Sequence, residues 1–140
     1  MSAGTGVTHS EFNPSRSERV HLLQIWILPD GSGGEPRYAE HSLPAAAAAN
    51  NLTLLFAGKS RDGATGIRAD ADVYLGKLAA GGKAVHRTSP TRGIWIHVFK
   101  GSLTVGGTKL AAGDGASIED AGELTLEAAD GAEFLLFDLR

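Results

Sequence analysis

The first sustained apolar run is Val20–Leu28, VHLLQIWIL, rich in β-branched and aromatic residues and closed by Pro29-Asp30-Gly31. That pattern predicts a strand followed by a turn. Both alternating faces are largely apolar, so burial on two sides or pairing at an interface is expected. Gly6–Phe12 predicts a short strand before it, with Asn13-Pro14-Ser15 as the turn between them. Residues 29–51 are punctuation. Gly31–Pro36 is a flexible loop, and Ala45–Ala49 favours helix but is too short to hold one alone.

From Leu52 onward the spacing is regular. Strands are predicted over 52–58, 71–77, 83–86, 93–100, 102–105, 116–119, 123–127 and 132–139. Turns are expected at Arg61-Asp62-Gly63, Ala80-Gly81-Gly82, Gly101, Gly106-Gly107 and Gly113-Asp114-Gly115. The strongest strand, GIWIHVFK, places Ile94, Ile96 and Val98 on one face and Trp95, His97 and Phe99 on the other. Turn signals every ~8–12 residues without an amphipathic helix predict an antiparallel sandwich or barrel. The second face of GIWIHVFK is expected to be buried, as filled core or as a small-molecule pocket.

Composition narrows the functions. The chain has 140 residues, one domain's worth, with 42% hydrophobic and 21% charged residues, which excludes a disordered tail. A net charge of −3 gives no case for nucleic acid or an anionic membrane. The absence of cysteine removes disulfides and thiolate chemistry. No apolar run approaches the ~20 residues of a membrane span, and no signal peptide is read at the start, so a cytoplasmic location is expected.

No glycine-rich phosphate loop, serine elbow or basic-aromatic stripe is present. Five histidines remain: His9, His21, His41, His86 and His97. The pairing with metal logic is His9-Ser10-Glu11, since residues i and i+2 of a strand share a face and a mixed N/O pair suits Fe(II), Mn or Ni. The bland reading is two solvated polar residues. His97 reads as a core or lumen histidine, His86 as a surface or rim residue, His21 as packed and His41 as solvated. Arg87 and Arg92 flank Pro90 in a loop that is either solvated or receptive to an anion. Asp114, between two glycines, reads as a turn former.

GVTHSEFNPS, VHLLQIWILP, Pro36-Arg37-Tyr38, KSRDGATGIRADADVYLGKL and the closing LAAGDGASIED, LTLEA and AEFLLFDL together resemble the bacterial pirins. Pirins are bicupins, two β-barrels in one chain, and some have quercetin 2,3-dioxygenase activity. The resemblance runs from about Gly4 to Leu139 and corresponds to the second half of a full-length pirin. It implies an all-β, cupin-type antiparallel barrel (double-stranded β-helix or jelly roll) over residues 51–140. Residues 1–50 would be an N-terminal strand arm resembling the end of a first barrel, plus a linker. It also implies that His9 and Glu11 match the HxE element of the pirin metal site. The other two histidines of that site come from an HxH element, and no HxH occurs in this sequence.

The expected function is therefore a pirin-like cupin serving as a non-catalytic binding or interaction module with an incomplete metal site. The alternatives are a quercetin 2,3-dioxygenase-type oxidoreductase, and a half that pairs with a separate first barrel. No cofactor is expected to bind tightly, with Fe(II) or another divalent transition metal taken up if the site is completed. A homodimer through residues 1–28 is expected, because an unpaired apolar strand needs a cover. The pocket candidates Trp95, His97 and Phe99 suit a small aromatic ligand.

Overall fold

The computed structural model describes residues 1–40, 50–59, 61 and 63–140. Its strands are β1 (Asn51–Ala57), β2 (Thr65–Gly66), β3 (Ala71–Arg87), β4 (Gly93–Val105), β5 (Thr108–Ala111), β6 (Gly115–Ile118) and β7 (Glu123–Leu139). They form one sheet in the order β2-β1-β3-β7-β4-β5, with β6 also on β4. All pairings are antiparallel except β1 with β2. The all-β expectation holds. Among the described residues no helix is long and apolar enough to cross a membrane.

β3 and β7 pair along their full lengths, from Ala71 opposite Leu139 to Arg87 opposite Glu123. β4 lies on the other side of β7. One core cluster joins Leu124 and Leu126 from the start of β7 to Phe134 and Leu136 near its end, with Ile94, Ile96 and Val98 of β4. Residues ten positions apart on one strand share a core only if the sheet wraps around it. The alternation then continues on the outside: Leu135 and Phe137 belong to a second cluster with Val73. The end of β7 is thus apolar on both faces, and its outer face needs a cover of its own.

Three expected breaks are not breaks. Gly81-Gly82 does not turn the chain, so 71–77 and 83–86 belong to β3; likewise 93–100 and 102–105 belong to β4, and 123–127 and 132–139 to β7. The glycines bend these strands instead. Gly81, Gly101 and Gly131 have φ of 70°, 75° and 99°, and a Cβ on Gly101 would stand 2.1 Å from the Gly131 carbonyl oxygen. Only glycine permits that backbone approach at positive φ. The hairpin at Gly106-Gly107 forms as expected, with Val105 opposite Thr108. Asp114 also closes its turn, its carboxylate accepting from Ala111 N–H at 2.8 Å.

The strands expected at Gly6–Phe12 and Val20–Leu28 are absent; neither segment joins a ladder. A strand needs a partner edge, and β-propensity alone supplies none. The Ala45–Ala49 segment and His41 lie outside the described residues.

Candidate functional site

The N-terminal segment is held to the sheet by a polar clasp. Arg68 donates to the Gly33 carbonyl at 2.6 Å, Asp30 N–H donates to the Arg68 carbonyl at 2.9 Å, and the Asp30 carboxylate accepts from Asp70 N–H at 3.2 Å. Ser2 and Arg37 exchange backbone hydrogen bonds at 2.8 and 3.0 Å, and Thr5 N–H reaches the Gly34 carbonyl at 3.0 Å. The long excursion from Gly6 to Pro29 is therefore anchored at both ends. Within it Ile27 packs on the outer cluster of Leu135 and Phe137. Its neighbours Leu22, Leu23, Ile25, Trp26 and Leu28 remain exposed, Trp26 at 86%.

Between this arm and the sheet lies an open groove of about 740 Å³. Leu23–Leu28 form one wall; Trp95, His97, Leu135, Phe137 and Leu139 form the other. The face assignment of β4 is as expected, because Ile94, Ile96 and Val98 point into the core. The burial of the opposite face is not. Trp95 is 42% exposed, where it covers Gly115, while His97 and Phe99 are half-buried. His97 lines the groove. Phe99 does not; it lies beneath the arm with its ring edge-on to exposed His21, centroids 6.4 Å apart. An apolar surface flanked by two tryptophans and an imidazole suits a flat aromatic molecule.

His9 and Glu11 meet without a strand to align them. His9 Nε2 stands 3.5 Å from Glu11 Oε1, with side chains 42% and 52% exposed. Among the described residues no His, Cys, Asp or Glu joins them as a third donor. A protein-held transition metal takes three or four such ligands, oriented by further hydrogen bonds. The pair by itself does not fit a resident metal ion, and no catalytic step follows from it.

The most constrained polar cluster was not legible as such in the sequence. His86, expected at the surface, is only 5% exposed, and its Nε2 lies 2.9 Å from Asp138 Oδ2. Arg92 binds the other Asp138 oxygen through Nε, the Asp138 carbonyl at 2.9 Å and Asp70 at 2.8 Å. Arg61 donates to Asp72 at 2.6 Å, and the Tyr74 ring stands edge-on to His86 at 5.0 Å. Burial pushes the Asp138 carboxyl upward, but hydrogen bonds from Arg92 and His86, the nearby Thr88 hydroxyl and the Arg92 charge outweigh it and hold its pKa below the usual carboxylate value. Burial, with the Asp72 charge, raises the Tyr74 phenol. All of these except His86 border a polar cleft of about 250 Å³, which shares Asp70 with the groove. Arg92 is therefore no solvated loop residue, whereas Arg87 is exposed and pairs with Glu123.

Residues 54–139 match the family model described as the quercetinase C-terminal cupin domain, and residues 1–27 match the pirin family model. The chain is 40% identical over 139 residues to a quercetin 2,3-dioxygenase of Escherichia coli strain K12, covering 99% of this chain and 59% of that protein. It is 34% identical to a pirin-like protein of Caulobacter vibrioides, covering 99% of this chain and 60% of the relative. The crystal structure of YhhW from Escherichia coli superposes with a TM-score of 0.75 at 32% identity, over 82% of this chain and 48% of that one. The same bacterial pirin in complex with nickel(II) superposes at 0.74, over 81% and 48%. The chain thus spans about 59% of the length of such a relative. The wrapped sheet of β1–β7 is the cupin fold that the resemblance implied, and the chain belongs to the pirin family, corresponding to its C-terminal half.

Proposed function

We propose that this chain is a binding and interaction module of the pirin family rather than a self-sufficient dioxygenase. The observation that supports this reading is the donor count at His9 and Glu11: two ligands, exposed, with no third among the described residues. In this reading the pair contributes half of a metal site that other donors complete, and Fe(II) or another divalent transition metal binds weakly until they do. The groove between Trp26 and Trp95 takes a small aromatic ligand.

Residues 1–28 are the partner surface, and a second copy of the chain is the partner. Their exposed apolar side chains include Val7, Phe12, Trp26 and Leu28. Within them Glu11 and Glu18 balance Arg16 and Arg19, so charge does not oppose self-association as it would for the chain's net −3. Two-fold pairing of one patch with itself is the common route to a homodimer.

Two further readings each have a supporting observation. The 40% identity to a protein named quercetin 2,3-dioxygenase favours catalysis. That no HxH element occurs in this sequence favours pairing with a barrel that carries one. Anaerobic reconstitution with Fe(II) or Ni(II), followed by metal analysis and a quercetin consumption assay, separates the catalytic reading from the other two. The module reading expects neither retained metal nor turnover from the chain alone; turnover by the chain alone contradicts it.

A further inference from the structure

The polar cleft where the two ends of β3 meet the 88–92 turn shares only Asp70 with the groove. Its lining holds Lys59, Arg61, Arg87 and Arg92 against Asp70, Asp72 and Asp138, four cations to three anions in a chain whose net charge is −3. Arg87 also reaches out to Glu123, beyond the lining.

With Glu123 counted the charges balance, but the hydrogen-bond donors do not. Each lining carboxylate already has a partner: Asp138 has His86 and Arg92, Asp70 has Arg92, and Asp72 has Arg61. The donors are not exhausted. A guanidinium carries five N–H groups. Among the described residues Arg61 gives one to Asp72 and lies beside the Tyr74 phenol, which leaves N–H groups for another acceptor. Thr88 Oγ1 is buried at this cleft without a hydrogen-bond partner among the described residues, although it lies near enough to Asp138 to help keep that carboxyl ionised. A buried hydroxyl without a partner is uncommon and asks for one.

We propose that this cleft binds a small organic carboxylate, gripped by Arg61 and Thr88 and seated against the Arg92–Asp138 pair. A carboxylate supplies what the cleft lacks, namely paired acceptor oxygens for a guanidinium fork and a hydroxyl. The cleft volume of about 250 Å³ is several times the roughly 30 Å³ share of a water molecule, so an organic acid fills it better than a lone ion. Asp138 stays paired throughout and acts as the wall that orients Arg92.

Sodium malonate is the probe, titrated into the full chain at neutral pH against sodium chloride of equal ionic strength, with amide chemical shifts as the readout. Saturable shifts centred on Tyr74, Thr88 and Arg92 are expected. Arg61→Met and Thr88→Val should each weaken binding about tenfold or more, since each removes a bond to a charged group. Thr88→Val should melt within about 2 °C of the parent, because the empty protein loses no hydrogen bond. That control separates lost recognition from lost folding. Shifts that do not saturate, or an affinity unchanged in both variants, would overturn the proposal. So would a marked drop in melting temperature for Thr88→Val, which would mean that the hydroxyl is already satisfied.

Discussion

His86 Nε2 lies 2.9 Å from Asp138 Oδ2 although the two residues are far apart along the ladder their strands share. In that ladder His86 stands opposite Leu124, and Asp138 stands opposite Asp72. The side chains meet only because the β3–β7 pair curls until its two ends touch. The contact ties the curvature of the sheet to one buried carboxylate, which also pairs with Arg92. Removing one partner of such a pair leaves the other uncompensated. Asp138→Asn is therefore expected to cost about 3 kcal/mol, read as a fall in the urea midpoint with little change in slope. A loss within error would mean that Arg92 and Asp70 hold the end of the sheet without it.

The same carboxylate sets an acid limit. The Asp138 pKa is lower in the folded chain than its ordinary value of 3.8, so the unfolded chain takes up its proton first as the solution is acidified. The resulting stability is present above that ordinary value and is lost as pH falls through the lower folded one. Stability of the parent should decline below about pH 4, and the decline should be shallower in Asp138→Asn. Parallel acid limbs for the two proteins would contradict the assignment.

Gly76 stands opposite Phe134, and a Cβ there would lie 2.2 Å from the ring. The ring fills the space that a side chain would occupy. Gly76→Ala should destabilise by about 1–3 kcal/mol through overpacking. Adding Phe134→Leu should cost less in that variant than in the parent, a coupling that thermal melts of the four proteins would show.

Both tryptophans of the chain, Trp26 and Trp95, line the groove. Intrinsic tryptophan fluorescence therefore reports on the groove directly. A planar aromatic probe should quench it saturably, and Trp95→Leu should weaken that binding. Ile27→Asp, which puts a charge against Leu135 and Phe137, should loosen the arm, raise proteolysis between residues 6 and 29 and reduce probe binding. Quenching that survives both changes would place the probe elsewhere.

A two-fold complex through residues 1–28 predicts twice the chain mass in light scattering at micromolar concentration. Trp26→Arg should shift that population to monomer without lowering the melting temperature of the barrel, because Trp26 lies at the exposed surface. A monomer in the parent would remove the self-association part of the account.

How much of this was legible in the sequence varied with distance along the chain. β1, the first half of β4, β6 and the Gly106-Gly107 hairpin follow from local alternation and turn chemistry. The continuity of β3 does not, because Gly81-Gly82 reads locally as a turn and becomes a bend only when β7 runs alongside. His86 reads as a rim residue because its partner is 52 positions away. Val20–Leu28 has every local mark of a strand, yet no sheet edge among the described residues receives it. The His9–Glu11 pair was visible from its spacing and does meet in space, but spacing could not tell how many donors would join it.

The most direct test is metal stoichiometry. The purified chain is loaded anaerobically with Fe(II) or Ni(II), desalted and analysed for retained metal, alongside His9→Ala. The account predicts little retained metal and no difference between the two proteins. Stoichiometric metal that survives desalting and disappears in His9→Ala would contradict it and restore the chain to the enzymes.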